Sequence, residues 1–305
     1  MTGWTIVSAP SSAGAHHAGP ERAPAAILAA GLVRSLRERG VDVVEGPVTD
    51  ESPFGPADRE PAGRDAARVA QVARSVGRAV TEVVRTGRRA LVIGGDCTVS
   101  VGAIAGLRQF EPDVAVAYID GDADLADPAT SGGGVMDASG VAVLRGLIAS
   151  PLASAGSGAM IDGARLAVLG FDRTDAGAYD ERRLREAAPA VALDDAAVAA
   201  DPGGAAERAA AVLSAGTVGA IHFDVDVVDS AELPLANFPH YGTGIAVDDA
   251  VALLRRLTAT PNVRLLSLTE VNPTHDRTGY WLERYVDMIA RGFETGPSPR
   301  AASGS

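Results

Sequence analysis

Short runs of β-branched and other apolar residues alternate along the chain with longer stretches rich in Ala, Arg and Leu. This is the pattern of βαβ units wound into a parallel sheet. Strands are predicted near 4–8, 41–44, 89–94, 113–119, 165–170, 218–223 and 263–269. Helices are predicted over 21–38, 63–86, 98–108, 139–149, 178–188, 203–214, 246–258 and 279–292, with the Ala-rich region 187–215 read as helix. The nearly strict alternation points to a three-layer α/β/α fold around a mostly parallel central sheet. No Pro/Ser-rich linker interrupts the chain before its last residues, so 1–293 is expected to form one domain. Residues 294–305 (ETGPSPRAASGS) read as a disordered tail.

Composition narrows the function. With 47% hydrophobic residues in 305, the chain can bury a full core. A net charge of −12 repels a phosphate backbone, which argues against nucleic acid as a partner. No apolar run approaches the roughly 20 residues that span a bilayer, and the N-terminus lacks a signal pattern, so a soluble cytoplasmic protein with no membrane partner is expected. All 27 basic side chains are Arg, which removes Schiff-base chemistry and a P-loop lysine. One Cys leaves no intramolecular disulfide.

The chemistry is expected at the carboxyl ends of the strands, where open α/β sheets bind their ligands. The run Val114–Ile119 leads into Asp120-Gly121-Asp122-Ala123-Asp124, and period-two alternation would aim its three carboxylates to one side. The run Val218–Phe223 ends in Asp224-Val225-Asp226, with Asp229 close behind. Gathering ionised carboxylates in a partly dry cleft costs several kcal/mol per charge unless cations compensate them, so metal coordination explains both clusters together. A lone Asp of this kind would more often cap a helix or turn a loop. A third strand ends in Gly94-Gly95-Asp96-Cys97-Thr98. Cys97 falls at a helix start, where backbone N–H groups favour a thiolate, although a lone Cys is commonly a small buried hydrophobe.

These motifs resemble the ureohydrolases: arginase, agmatinase, formiminoglutamase and relatives. The family marks are a Gly-Gly-Asp-His turn, Asp-Ala-His-x-Asp, Asp-x-Asp-x-x-Asp-Pro and a late Glu-x-x-Pro. Here they stand, in the same order, as Gly94–Cys97, Asp120–Asp124, Asp224–Ser230 and Glu270-Val271-Asn272-Pro273, and Gly19-Pro20-Glu21 resembles the family's N-terminal segment. The resemblance implies the arginase-like fold, a homo-oligomer (trimer or hexamer) and two divalent ions, Mn²⁺ by preference. Those ions activate water against the carbon of a small guanidino or amidine substrate. It implies Cys97, Asp120, Asp122, Asp124, Asp224 and Asp226 as metal ligands, with Glu270 orienting the guanidinium through charge-assisted hydrogen bonds.

Both family His ligands are replaced, by Cys97 and Asp122, so with Cys97 ionised all six ligands are anionic where the family has four. Such a set quenches Lewis acidity and raises the pKa of bound water. Asp137, in Gly134–Ala138, occupies the place of a proton-shuttling His and would serve only with a raised pKa. The loop Asp127–Gly134 lacks the Asn and Ser that hold an α-amino acid, so free arginine is a poor candidate substrate. His240 follows the second acidic cluster on a Gly-containing loop and is either a site residue or a turn histidine. His222 reads as a core group beside the site; His16, His17 and His275 are its remaining histidine neighbours. Two functions follow: a metal-dependent hydrolase of a guanidino, hydroxyguanidino or related amidine compound, or a degenerate homologue kept as a binding or structural subunit.

Overall fold

The apolar runs pair side by side in a computed structural model of the chain, which describes residues 3–55, 59–130, 133–153, 159–175 and 179–294. The strands are β1 (Trp4–Ser8), β2 (Val43–Val48), β3 (Arg59–Glu60), β4 (Gly63–Arg64), β5 (Arg89–Ile93), β6 (Val114–Ile119), β7 (Leu166–Phe171), β8 (Val191–Asp194), β9 (Val218–Asp224) and β10 (Val263–Thr269). Eight of them form one sheet in the order β2-β1-β5-β10-β9-β6-β7-β8, with every neighbouring pair parallel. β3 and β4 form a separate antiparallel ribbon.

The helices are α1 (Ala23–Ala29), α2 (Leu32–Glu38), α3 (Ala66–Arg85), α4 (Thr98–Phe110), α5 (Gly140–Leu144), α6 (Glu181–Ala187), α7 (Asp195–Ala200), α8 (Pro202–Ala215), α9 (Val247–Thr258) and α10 (Tyr280–Arg291). Alternate residues of each strand enter opposite cores, as the two-residue period requires. Leu91, Ile119, Phe223 and Leu266 pack with Ile27, Leu36, Leu213, Leu254 and Ile289 on one face. Val92, Val116 and Leu265 pack with Val76, Val80, Ile104 and Val143 on the other. The result is the expected α/β/α sandwich. Among the described residues, no helix is long and apolar enough to cross a membrane.

Several predicted elements are redrawn. The helix expected over 21–38 is interrupted at Gly31, whose φ of 95° lies in the left-handed region that glycine tolerates and a helix does not. The helix expected from 63 starts at Ala66, because Gly63 and Arg64 belong to β4. The Ala-rich region 187–215 is not continuous helix: it contains β8, and Asp201-Pro202 divides α7 from α8. The helix expected over 139–149 contracts to Gly140–Leu144, and the strand expected at 41–44 runs instead over Val43–Val48. Glu294, assigned to the tail, pairs with Arg39 and Arg255; residues 295–305 lie outside the described residues.

Candidate metal centre

The sheet order sets β5, β10, β9 and β6 side by side, so the four motif-bearing strand ends are neighbours. Their register levels those ends: Ile93 lies opposite Leu268, Thr269 opposite Asp224, and Ile119 opposite Phe223. Cys97, Asp120, Asp122, Asp124, Asp137, Asp224, Asp226 and Glu270 consequently line one cavity, together with His16, Asn237 and Phe238. A roomier groove of about 790 Å³ involves α8 and α9, but several of its charges are paired off, as Arg256 with Glu207 and Arg291 with Asp248.

Strand alternation does not aim the acids as predicted, because β6 ends at Ile119. Hydrogen bonds do so instead. The Asp122 N–H donates to Asp120 Oδ1 at 2.8 Å, and the Gly121 N–H to Asp226 Oδ1 at 2.9 Å. Asp124, at φ 48°, accepts from the Tyr118 hydroxyl at 2.5 Å. Asp226 stands on a 3-10 turn, its N–H donating to Asp224 Oδ1 at 2.9 Å. Glu270, at φ 61°, donates its N–H to Gly95 O at 2.9 Å, while its Oε1 accepts from the Cys97 N–H at 3.1 Å. Gly95 admits no side chain, since a Cβ there would lie 1.7 Å from Ser11 O. Asp229 is turned to the loop amides of Ala231 and Gly242 and leaves the cavity to the others.

The model of the Arginase family matches residues 2–289. The chain belongs to the arginase family. It is 37% identical over 132 residues to the hepatic arginase of Aquarana catesbeiana, a match covering 42% of this chain and 40% of that protein. It is 31% identical over 142 residues to arginase-1 of Homo sapiens, again covering 42% of this chain and 40% of that protein. The chain thus spans about two fifths of the length of the curated relatives it matches. Its fold superposes on the crystal structure of arginase from Bacillus cereus with a TM-score of 0.84 at 21% identity, covering 97% of this chain and 100% of that one. The arginase-like fold implied by the motifs is the fold observed.

In this member of the arginase family the acids are under strong electrostatic pressure. Burial, reinforced by neighbouring carboxylates, holds Asp120 and Glu270 well above the usual carboxylate range. Asp124 and Asp226 are raised for the same leading reason, burial. Asp122 is pushed up to about 6, chiefly by burial. Burial also raises the Cys97 thiol, with Asp224 next in effect. The thiol donates to Asp224 Oδ2 at 2.7 Å.

Among the described residues, the basic groups within 4 Å of the cavity acids are all imidazoles. They are His222 with Asp120 at 3.1 Å, His240 with Asp122 at 3.7 Å and with Asp226 at 4.0 Å, and His16 with Asp137 at 3.2 Å. Protons or bound cations are what remain to compensate the cluster. The residues fit a divalent cation by a further sign: Asp122 Oδ1 and His240 Nε2 are both buried without a hydrogen-bond partner.

His240, the open case of the sequence, is therefore buried against the acids. His222, read as a core group, is fully buried but bonds the cavity residue Asp120. Its signal was its position two residues before Asp224 on a buried strand, hence on the same face. His16 bonds Asp137 at the cavity, a contact across 121 positions that no local pattern announces. His275 ends a 3-10 turn and His17 is exposed.

Proposed function

We propose that this chain is a metal-dependent hydrolase that cleaves a C–N bond of a guanidino, hydroxyguanidino or related amidine compound other than free arginine. The observation that carries the reading is the convergence of six Asp carboxyls, Glu270 and Cys97 on one cavity where the basic neighbours of the acids are imidazoles alone. Asp120, Asp124, Asp224 and Asp226, with Cys97 and Asp122, would hold two divalent ions, Mn²⁺ by family preference. Bound there, such ions supply Lewis acidity and lower the pKa of water.

The chain's own groups take the other roles. Glu270 offers a carboxylate to grip a planar guanidinium. Asp137 and His16 form a pair able to hold a proton at the cavity, and the hydrogen bond that Asp137 accepts from His16 raises the His16 pKa. In the overall reaction the scissile C–N bond breaks, water gives its hydroxyl to carbon, and its proton goes to the departing amine. Against free arginine stands the loop before Asp137, which reaches it through Gly133 and Gly134. The protein is taken as one domain over 1–293, a cytoplasmic homo-oligomer with no nucleic-acid or membrane partner.

A second reading, a non-hydrolytic binding or structural subunit, draws on the loss of imidazole at positions 97, 122 and 137. The test is to load the protein with Mn²⁺ and screen guanidino, hydroxyguanidino and formimino compounds over about pH 6 to 10. Urea, hydroxyurea or formamide is measured. Turnover of one of these with arginine left intact is expected. Silence on every compound with metal bound would favour the second reading, and efficient arginine turnover would overturn the specificity.

A further inference from the structure

The family positions that bear imidazole hold Cys97 and Asp122 here, yet two other imidazoles stand in the same space. The ligand atoms of Cys97, Asp120, His222 and Asp224 lie within 4.8 Å of one another, and so do those of Asp122, Asp175 and His240. Each group contains one of the two substituted positions and one histidine from a different part of the fold.

A chain of hydroxyls fixes the tautomer of His222. The Ile221 carbonyl can only accept, so Ser267 gives it its one proton at 3.3 Å. Ser100 then donates to Ser267 Oγ at 2.8 Å, and with that proton spent Ser100 Oγ must accept from His222 Nδ1 at 2.7 Å. The lone pair of His222 is thereby left on Nε2. That atom faces Asp120 Oδ2 at 3.1 Å and Cys97 Sγ at 3.9 Å. Two acceptors at such a distance need a proton or a cation between them. An imidazole whose far nitrogen donates to a fixed hydroxyl, and which stacks on the Tyr118 ring at 3.9 Å, is oriented as metal-binding histidines are.

His240 makes the second case. It is 6% exposed, and its Nε2 has no hydrogen-bond partner. Asp122 Oδ1, 3.7 Å away, has none either. The gap is too long for a hydrogen bond, and two buried polar atoms face each other across it. The backbone holds the residue in place, since His240 O accepts from the Ser230 N–H at 2.8 Å.

We propose that His222 and His240 supply the two imidazoles that positions 97 and 122 lack, one to each cation of the pair. The assignment rests on the metal-centre reading given above and deepens it. It makes the replacement of both family histidines a relocation of imidazole to other strands and loops.

The test uses protein labelled with ¹⁵N at its five histidines. Zn²⁺ is titrated into the chelated protein while the imidazole nitrogens are followed by NMR; Mn²⁺ affinity and stoichiometry are measured in parallel by calorimetry. His222→Asn, which keeps a donor toward Ser100, and His240→Asn assign the resonances. The expected result is a metal-dependent shift of Nε2 in both histidines, and in each variant one of two sites weakened roughly tenfold or more with the other intact. Unmoved imidazole resonances in a wild-type protein that binds cations would overturn the assignment while leaving the metal centre standing. A wild type that binds no divalent cation would overturn both. Should His222→Asn fail to fold, the wild-type spectra still decide.

Discussion

Glu270 is aimed into the cavity by a backbone conformation that L-residues avoid, with φ at 61°. Left-handed backbone costs a residue bearing a Cβ about 1–2 kcal/mol. The conformation is imposed from both sides: the Glu270 N–H is tied to Gly95 O, and Val271 bridges Ala236. Glu270→Ala and Glu270→Gly remove the same carboxylate and orphan the same Cys97 N–H, so the difference between them isolates the backbone. In ordinary structure Gly is worse than Ala by roughly 0.5–1 kcal/mol, through the entropy of the unfolded chain. Here the strain offsets that preference, and Glu270→Gly should be the more stable of the two by roughly 0.5–1 kcal/mol. At about 2.1 cal/mol/K per residue, this is a shift of only about 1–2 °C in a chain of this size. Urea denaturation in chelator, comparing midpoints at equal slopes, is therefore the better assay. Gln71, exposed within α3, is the control, where Ala must be favoured over Gly by about 1 kcal/mol. Equal stability of Glu270→Ala and Glu270→Gly would refute the claim that strain aims this carboxylate.

Three further outcomes are expected. Acids whose folded pKa is raised stabilise the fold below their unfolded pKa and lose that contribution as pH climbs through the folded value; this applies to Asp120, Asp124, Asp226 and Glu270. His222, pushed down to about 3 by burial, opposes them only below its ordinary 6.5, so the urea midpoint of chelated protein should fall as pH rises from about 6.5 to 8 and should flatten once cation is added. Cys97, the single cysteine, should react with a thiol reagent several-fold more slowly with Mn²⁺ bound, and equal rates would detach it from the cation site. α4, which carries Cys97 at its start, packs so closely on α3 that a Cβ at Gly106 would lie 2.1 Å from Gly77 O; Gly106→Ala should cost about 1–3 kcal/mol by thermal or urea unfolding.

Most of the sheet was legible because its strands are short apolar runs buried on both faces, a signal that survives without context. β8 escaped notice because Val191–Asp194 is an edge strand with a partly buried Ala-Leu-Asp run set in Ala-rich sequence. The break at Gly31 was visible as a residue, but helical periodicity on either side masked it. In the site, the acids were legible because they cluster at strand ends. Their orientation was not: it depends on the left-handed turns at Asp124 and Glu270 and on bonds such as Gly121 to Asp226, across 105 positions. The surroundings of Cys97 were not legible for a related reason, since the carboxylates near it follow or end β6, β9 and β10, and only the fold assembles them around the α4 N-terminus.

The central property proposed for this cavity is that it binds divalent cations and uses them on a guanidino-type compound. The most direct measurement titrates Mn²⁺ into chelated protein while following bound metal and product release from the most responsive compound of the screen in the same samples, with Asp224→Ala alongside. Product formation that rises in step with occupancy, and is absent from chelated protein and from the variant, is the predicted result. Full occupancy with no product from any guanidino, hydroxyguanidino or formimino compound, or turnover that persists unchanged in chelator, would contradict it.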